Sequence, residues 1–190
     1  CEVIDMGVVR DDPALLEAAF AKAAQTADAI ITSGGVSVGE ADFTKAMMKK
    51  LGDVAFWKIA MRPGRPMAVG RIGKSVLFGL PGNPVAVMVT FLAFVRPALL
   101  RMMGSTAQAA PLLRAKCLEP LRKKAGRTEY QRGFVSSAPD GTLQVRTTGN
   151  QGSGVLSSMV QGNGLIVLHH AQGNVAVGDE VDVMMFDGAI

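Results

Sequence analysis

The ten residues Ser33-Gly34-Gly35-Val36-Ser37-Val38-Gly39-Glu40-Ala41-Asp42 hold three glycines and two serines. Glycine lets successive backbone N–H groups turn toward one anion, and a helix that follows adds the positive end of its dipole. Ten residues is long for a plain connector. Ser33, Gly34, Gly35, Ser37 and Gly39 are therefore expected to contact a phosphate-bearing small molecule, the alternative being a tight strand-to-helix turn without a ligand. A second turn, Leu80-Pro81-Gly82-Asn83-Pro84, places two prolines around Gly-Asn. Pro81, Gly82, Asn83 and Pro84 then form either a rigid amide-lined ligand edge or a stiff helix entry with Asn83 as N-cap and Pro84 at the first helical position.

Charged side chains flank these turns. Asp42 suits an N-cap, and it equally suits a Mg²⁺ ligand paired with Asp11, because Mg²⁺ takes carboxylates together with phosphate oxygens and water. Lys58, Arg62 and Arg65 surround the Pro63-Gly64 turn. Arg forks onto oxyanions and Lys acts as a point charge. His169 and His170 are neighbours in a strand pattern, so they face opposite ways and do not chelate together. A Ser–His–Asp nucleophile arrangement is not legible.

The elements that must position these groups read as an α/β domain. Residues 3–9 and 29–31 have buried-strand patterns, and a helix capped by Asp11-Asp12-Pro13 runs to Thr26 with Leu15, Ala18, Ala19 and Ala23 at helical spacing. A second helix spans Phe43–Leu51, and Val54–Ala60 is a strand. Met67–Gly70 and Ser75–Phe78 form a hairpin about Gly73. A long helix follows to Met103 and stops at Gly104. Strand–helix alternation implies an open parallel sheet, whose ligands sit beyond the carboxyl ends of the strands. Residues 105–110 read as a linker between a domain at 1–104 and one at 111–190. In the latter, Tyr130–Ser137, Leu143–Thr148, Leu165–His169 and Glu180–Phe186 with glycine punctuation suggest a small all-β barrel or sandwich.

Composition bounds the function. The 190 residues are 48% hydrophobic and 19% charged, which supports buried cores. Cys1 and Cys117 have no C-x-x-C spacing, which argues for a reducing cytoplasmic setting and a free, buried Cys117. The apolar run Val85–Val95 is shorter than the roughly 20 residues a span needs, so no membrane is expected, and the absence of aromatics among the clustered basic residues argues against a nucleic-acid partner. Arg114, Lys116, Arg122, Lys123, Lys124 and Arg127 form a basic stretch without interleaved aromatics, read as a solvated face. The abrupt entry into Val3–Val9 suggests a piece cut from a larger α/β domain.

Taken in order, the Ser33–Asp42 loop, Arg62-Pro63-Gly64-Arg65-Pro66 and Leu80-Pro81-Gly82-Asn83-Pro84-Val85 closely resemble the molybdopterin molybdenumtransferase family, to which gephyrin's C-terminal domain is similar. Gln131-Arg132-Gly133 and Gly149-Asn150-Gln151-Gly152-Ser153 resemble the family's C-terminal domain, so the likeness spans essentially the whole chain. It implies Mg²⁺-dependent insertion of molybdate into adenylylated molybdopterin with release of AMP. It implies Asp11 and Asp42 near the metal, Lys58, Arg62, Arg132 and Ser153 on molybdate or cofactor oxyanions, and Pro81 and Pro84 shaping the pocket. Arg stands at 62 and 65 where many members have Lys. The family's N-terminal half is absent here, so the chain alone is expected to be inactive. In the longer protein a homodimer and contact with the pathway's adenylyltransferase are implied. The other readings are a molybdopterin adenylyltransferase, which lacks the β domain, and a gephyrin-type scaffold.

Overall fold

The computed structural model describes residues 1–34, 42–106 and 111–186, with side chains described outside 42–45. Two compact units emerge: residues 1–59 with 64–106, and residues 60–63 with the chain from 107 onward.

In the first unit, α1 (Pro13–Thr26) starts where its sequence signals it. Asp12 is the N-cap, its Oδ1 accepts the N–H groups of Ala14 and Leu15 at 2.9 and 3.0 Å, and Pro13 occupies the first helical position. The buried stripe is Leu16, Phe20 and Ala23. Leu15 is 51% exposed and Ala18 also faces solvent. Of the expected face Ala23 is buried, while Leu16 and Phe20 are buried in place of Leu15 and Ala19; both stripes fit a 3.6-residue period, and the one carrying the larger apolar area packs inward.

The sheet runs β1 (Ala29–Ser33), β5 (Ser75–Leu80), β4 (Pro66–Ile72), β2 (Gly52–Lys58). Only β1 and β5 are parallel, and β5–β4 and β4–β2 are antiparallel. The sheet is therefore mixed rather than parallel throughout. β4 and β5 are joined by a tight hairpin with Gly73 at φ +59°, and β2 reaches β4 without an intervening helix. Side chains alternate across it. Ala68, Ile72 and Leu77 pack with α1 and with Met47 and Met48 of α2 (Asp42–Leu51), while Met67, Phe78 and Leu80 pack with Val95. Helices therefore cover both faces.

Residues 3–9 form no strand. They are largely exposed, Gly7 has φ +66°, and Asp5 Oδ1 accepts the Gly7 N–H at 2.8 Å. Among the described residues no strand pairs with this segment, and a lone β-branched stretch has no ladder to hold it extended.

The last helix of this unit is continuous over Pro84–Met102: α3 (Pro84–Thr90), a π turn at Phe91–Val95, and α4 (Arg96–Met102). The wide turn precedes Pro97, which lacks an N–H for the regular ladder. By length and composition this helix could cross a membrane, although Val85–Val95 alone falls short. Val85, Val89 and Val95 are fully buried, with Val95 packed against the sheet.

The second unit is a barrel. Its order is β3 (Met61–Arg62), β7 (Thr128–Ser137), β8 (Leu143–Thr147), β6 (Leu113–Cys117), β10 (Glu180–Met185), β9 (Gly164–Leu168), and pairing of β7 with β9 closes five of the strands into a ring. Its core holds Cys117, Val145, Ile166, Leu168, Val181 and Val183. Strand β6 and the short helix α5 (Ser157–Gln161) lacked a legible sequence signal. β9 ends at Leu168, so His169 and His170 follow the strand rather than lying on it.

Candidate functional site

At the carboxyl ends of the parallel pair β1 and β5, Ser33 stands opposite Leu80. The Gly34 N–H donates to the Leu80 carbonyl at 3.1 Å, and a Cβ on Gly82 would lie 3.7 Å from the Gly34 Cα. The two glycine-bearing turns are therefore neighbours. Gly34 has φ +89°, a conformation that suits glycine. Its amide is spent on Leu80 rather than turned toward a ligand. Ser33, Gly82, Asn83 and Pro84 are exposed along this rim and Pro81 is buried. Asn83 is the N-cap residue of α3, without a side-chain capping bond, and Pro84 is the first residue of the helix.

Lys58 and Arg65 belong to the same unit and are exposed, at the end of β2 and just before β4, and Ile59 N–H donates to the Arg65 carbonyl at 2.8 Å. Asp11 is exposed in the bend that precedes α1. Gly35, Ser37 and Gly39 lie outside the described residues, as does the side chain of Asp42, which begins α2. Among the described residues no three Asp, Glu, His or Cys side chains cluster to hold a metal ion. Mg²⁺ needs only one or two carboxylates when phosphate and water complete its shell. Asp12 is committed to its cap while Asp11 is exposed beside it, so Asp11 suits that demand.

The second unit holds a different kind of site. Arg132, on β7, is only 1% exposed. Its Nε donates to Ser158 Oγ at 2.9 Å, and its Nη2 donates to the carbonyls of Gly152 and Asn150 at 3.0 and 3.5 Å. Ser158 in turn donates to the Val155 carbonyl at 2.6 Å. Every described partner of this guanidinium is a neutral oxygen. Burial first, and then the charge of Arg62, pull Arg132 below its ordinary basicity. Arg62 lies on β3, whose two residues pair with the start of β7. Arg62, exposed on this neighbouring strand, is near enough for its charge to act on Arg132, and no described carboxylate neutralises Arg132. An oxyanion is the ligand such a place accommodates best. Ser153 is half-buried in the loop that wraps this arginine.

Ser158 escaped sequence reasoning. A serine inside an unremarkable Ser-Ser-Met-Val stretch carries no local signal, and its role depends on a residue 26 positions away. An open cleft of about 510 Å³ on the barrel is lined by Glu119, Phe134, Arg146, Thr147, Thr148, Gly149 and Gln161, none of them an expected site residue, although Gly149 begins the loop around Arg132.

The basic stretch is not uniformly solvated. Lys123 is buried, its Nζ donating to the carbonyls of Lys124 and Gln172. Arg127 pairs with buried Glu129 at 2.7 Å, and Arg114 pairs with Glu180 and Asp182. His169 Nε2 lies 2.6 Å from Asp182 Oδ2, and that contact, ahead of Arg114, holds the Asp182 carboxyl below its usual range. Cys117 is free and buried, and its desolvation pushes the thiol up.

Comparison with known proteins gives matches to both units. Residues 1–101 match the family described as "Probable molybdopterin binding domain", and residues 114–186 match the MoeA C-terminal region (domain IV). The chain is 45% identical over 188 residues to a molybdopterin molybdenumtransferase of Haemophilus influenzae, covering 98% of this chain and 46% of that protein. It is 30% identical to gephyrin of Dictyostelium discoideum, covering 95% of this chain and 28% of gephyrin. Among solved structures, a molybdopterin biosynthesis MoeA protein from Pyrococcus horikoshii is similar with a TM-score of 0.73 and 28% identity, over 95% of this chain and 43% of that one. The chain thus spans less than half the length of these relatives.

Proposed function

The chain belongs to the molybdopterin-binding domain family, and from that premise we propose that it is part of a molybdopterin molybdenumtransferase acting in molybdenum cofactor biosynthesis. The reaction is the Mg²⁺-dependent insertion of molybdate into adenylylated molybdopterin, with AMP released. The observation that carries this reading is the buried Arg132, surrounded by neutral oxygens, with Arg62 as its cationic neighbour.

Splitting a phosphoanhydride while a metal oxyanion joins a dithiolene calls for charge neutralisation more than for a protein nucleophile. Within the second unit Arg132, Arg62 and Ser153 contact molybdate or cofactor oxyanions, a role that Lys58 has in the first. The rim made by Ser33, Gly34, Pro81, Gly82, Asn83 and Pro84, with Lys58 and Arg65, orients the adenylylated pterin, joined by Gly35, Ser37 and Gly39. Asp11 and Asp42 are the acidic residues that would hold Mg²⁺, which when bound neutralises phosphoanhydride oxygens. The match of residues 114–186 to the MoeA C-terminal region favours this reading over a molybdopterin adenylyltransferase. In the longer protein we place the enzyme in the cytoplasm as a homodimer that meets the adenylyltransferase.

The test is calorimetric titration of the chain with molybdate, with sulfate as the competing ion. Saturable binding is expected, weakened about a hundredfold by Arg132→Ala, the loss of about 3 kcal/mol that a charge-assisted hydrogen bond supports. Absence of molybdate uptake, or equal uptake by the variant, overturns the oxyanion reading.

A further inference from the structure

Arg132 lies on β7 at the point where its neighbour strand runs out. The β7–β8 ladder extends from Ser137 opposite Leu143 to Gly133 opposite Thr147, and the chain then turns at Gly149, φ +86°. At the next rung the Thr148 N–H still donates to the Arg132 carbonyl at 3.0 Å, but the acceptor for the Arg132 N–H is supplied by a side chain. The Arg132 N–H donates to Gln151 Oε1 at 2.7 Å, and Gln151 Nε2 donates to the Arg132 carbonyl at 3.1 Å. A primary amide offers an acceptor and a donor side by side, so Gln151 gives the Arg132 N–H the acceptor that β8 does not provide and shares the Arg132 carbonyl with Thr148.

The same amide governs the other end of the arginine. Gln151 Nε2 also reaches the Gly149 carbonyl at 3.3 Å, and Asn150 Oδ1 accepts the Gly152 N–H at 2.9 Å. The loop so held is the one whose Asn150 and Gly152 carbonyls receive Nη2 of Arg132. One side chain therefore ties the main chain of Arg132 to the carbonyls that orient its guanidinium.

We propose that Gln151 is a positioning residue for Arg132: its amide fixes both the strand from which the guanidinium projects and the loop that aims it, so that Arg132 meets an oxyanion in a preset orientation. This inference rests on reading Arg132 as the oxyanion contact. Gln151 itself is assigned no contact with the ligand.

Gln151→Met removes both amide functions at similar volume, and Gln151→Glu keeps the acceptor for the Arg132 N–H while losing the donor. The chain and both variants are titrated with molybdate, and exchange of the Arg132 Nε–H with water is followed by nitrogen-15 NMR. Molybdate affinity is expected to fall about tenfold in each variant, as when a group that orients a ligand is lost, with faster exchange at the Arg132 Nε–H. Should Gln151→Met fail to fold, Gln151→Glu carries the test. Unchanged affinity in the variants, or weaker affinity with unchanged Nε–H protection, overturns the role of Gln151 while leaving that of Arg132 standing. Failure of the unsubstituted chain to bind molybdate overturns the oxyanion reading and this inference together.

Discussion

The rim of the first unit and the arginine knot of the second are built from different materials. At the rim the groups on offer are mostly exposed and come from two turns far apart in sequence at the ends of β1 and β5, locked by one main-chain bond from Gly34 to Leu80. In the barrel a single buried side chain, Arg132, is held by Ser158 and by the 149–153 loop, from 18 to 26 residues away. Exposed turn geometry is tolerant, because solvent can replace a lost partner. A buried charge has no such reserve.

Substitutions can break or sharpen that contrast. The largest effect is expected in the knot. Ser158→Ala leaves the buried Arg132 Nε–H without its acceptor and should cost about 2 kcal/mol in urea unfolding, with Ser158→Thr recovering most of it. An equal stability for Ser158→Ala would show that water enters and that the knot resembles the rim. Gly34→Ala comes next. A Cβ there would meet nothing within 4 Å, but the φ of +89° is strained for alanine, and the expected loss is about 1 kcal/mol.

A smaller effect is expected from Asp182→Asn. Contact with His169, then Arg114, depresses the Asp182 carboxyl, so the stability it adds is present above the ordinary carboxylate range and lost as the pH falls below about 4. The substitution should flatten that acid limb in thermal melts taken between pH 6 and pH 3, and an unaltered limb would assign it to other carboxylates. The smallest effect is at Gly82, where a Cβ would meet only ordinary contact at 3.7 Å. Gly82→Ala should change stability by less than about 0.5 kcal/mol. In the full-length enzyme it should nonetheless raise the KM for adenylylated molybdopterin, whereas an unchanged KM would reduce the turn to a helix entry.

Local signals were strong where the chain reports on itself. The Asp12-Pro13 cap, the Gly73 hairpin and the Asn83-Pro84 helix start each involve residues within a few positions, and the structure has them where the sequence indicates. The misreadings share one cause. Residues 3–9 look like a strand, the sheet looked parallel, and α1 looked buried along Leu15. In each case the outcome depends on which neighbour is available across the fold, and periodicity is silent on that. Arg132 became a candidate only through family resemblance, because an arginine in an alternating strand is ordinarily exposed.

By itself the sequence determined the α/β-then-β order of elements, the turns that bring Ser33-Gly34 and Leu80–Pro84 to strand ends, and the family resemblance carried by their order. Tertiary structure alone decided that β4 and β2 run antiparallel, that the second unit closes as a barrel through β7 and β9, and that Gln151 and Ser158 grip a buried Arg132. Capping and turn chemistry act over a few covalent bonds, so composition and spacing encode them. Burial of a charge, and the side-chain amide that completes a strand rung, arise only when distant segments exclude water from the same place.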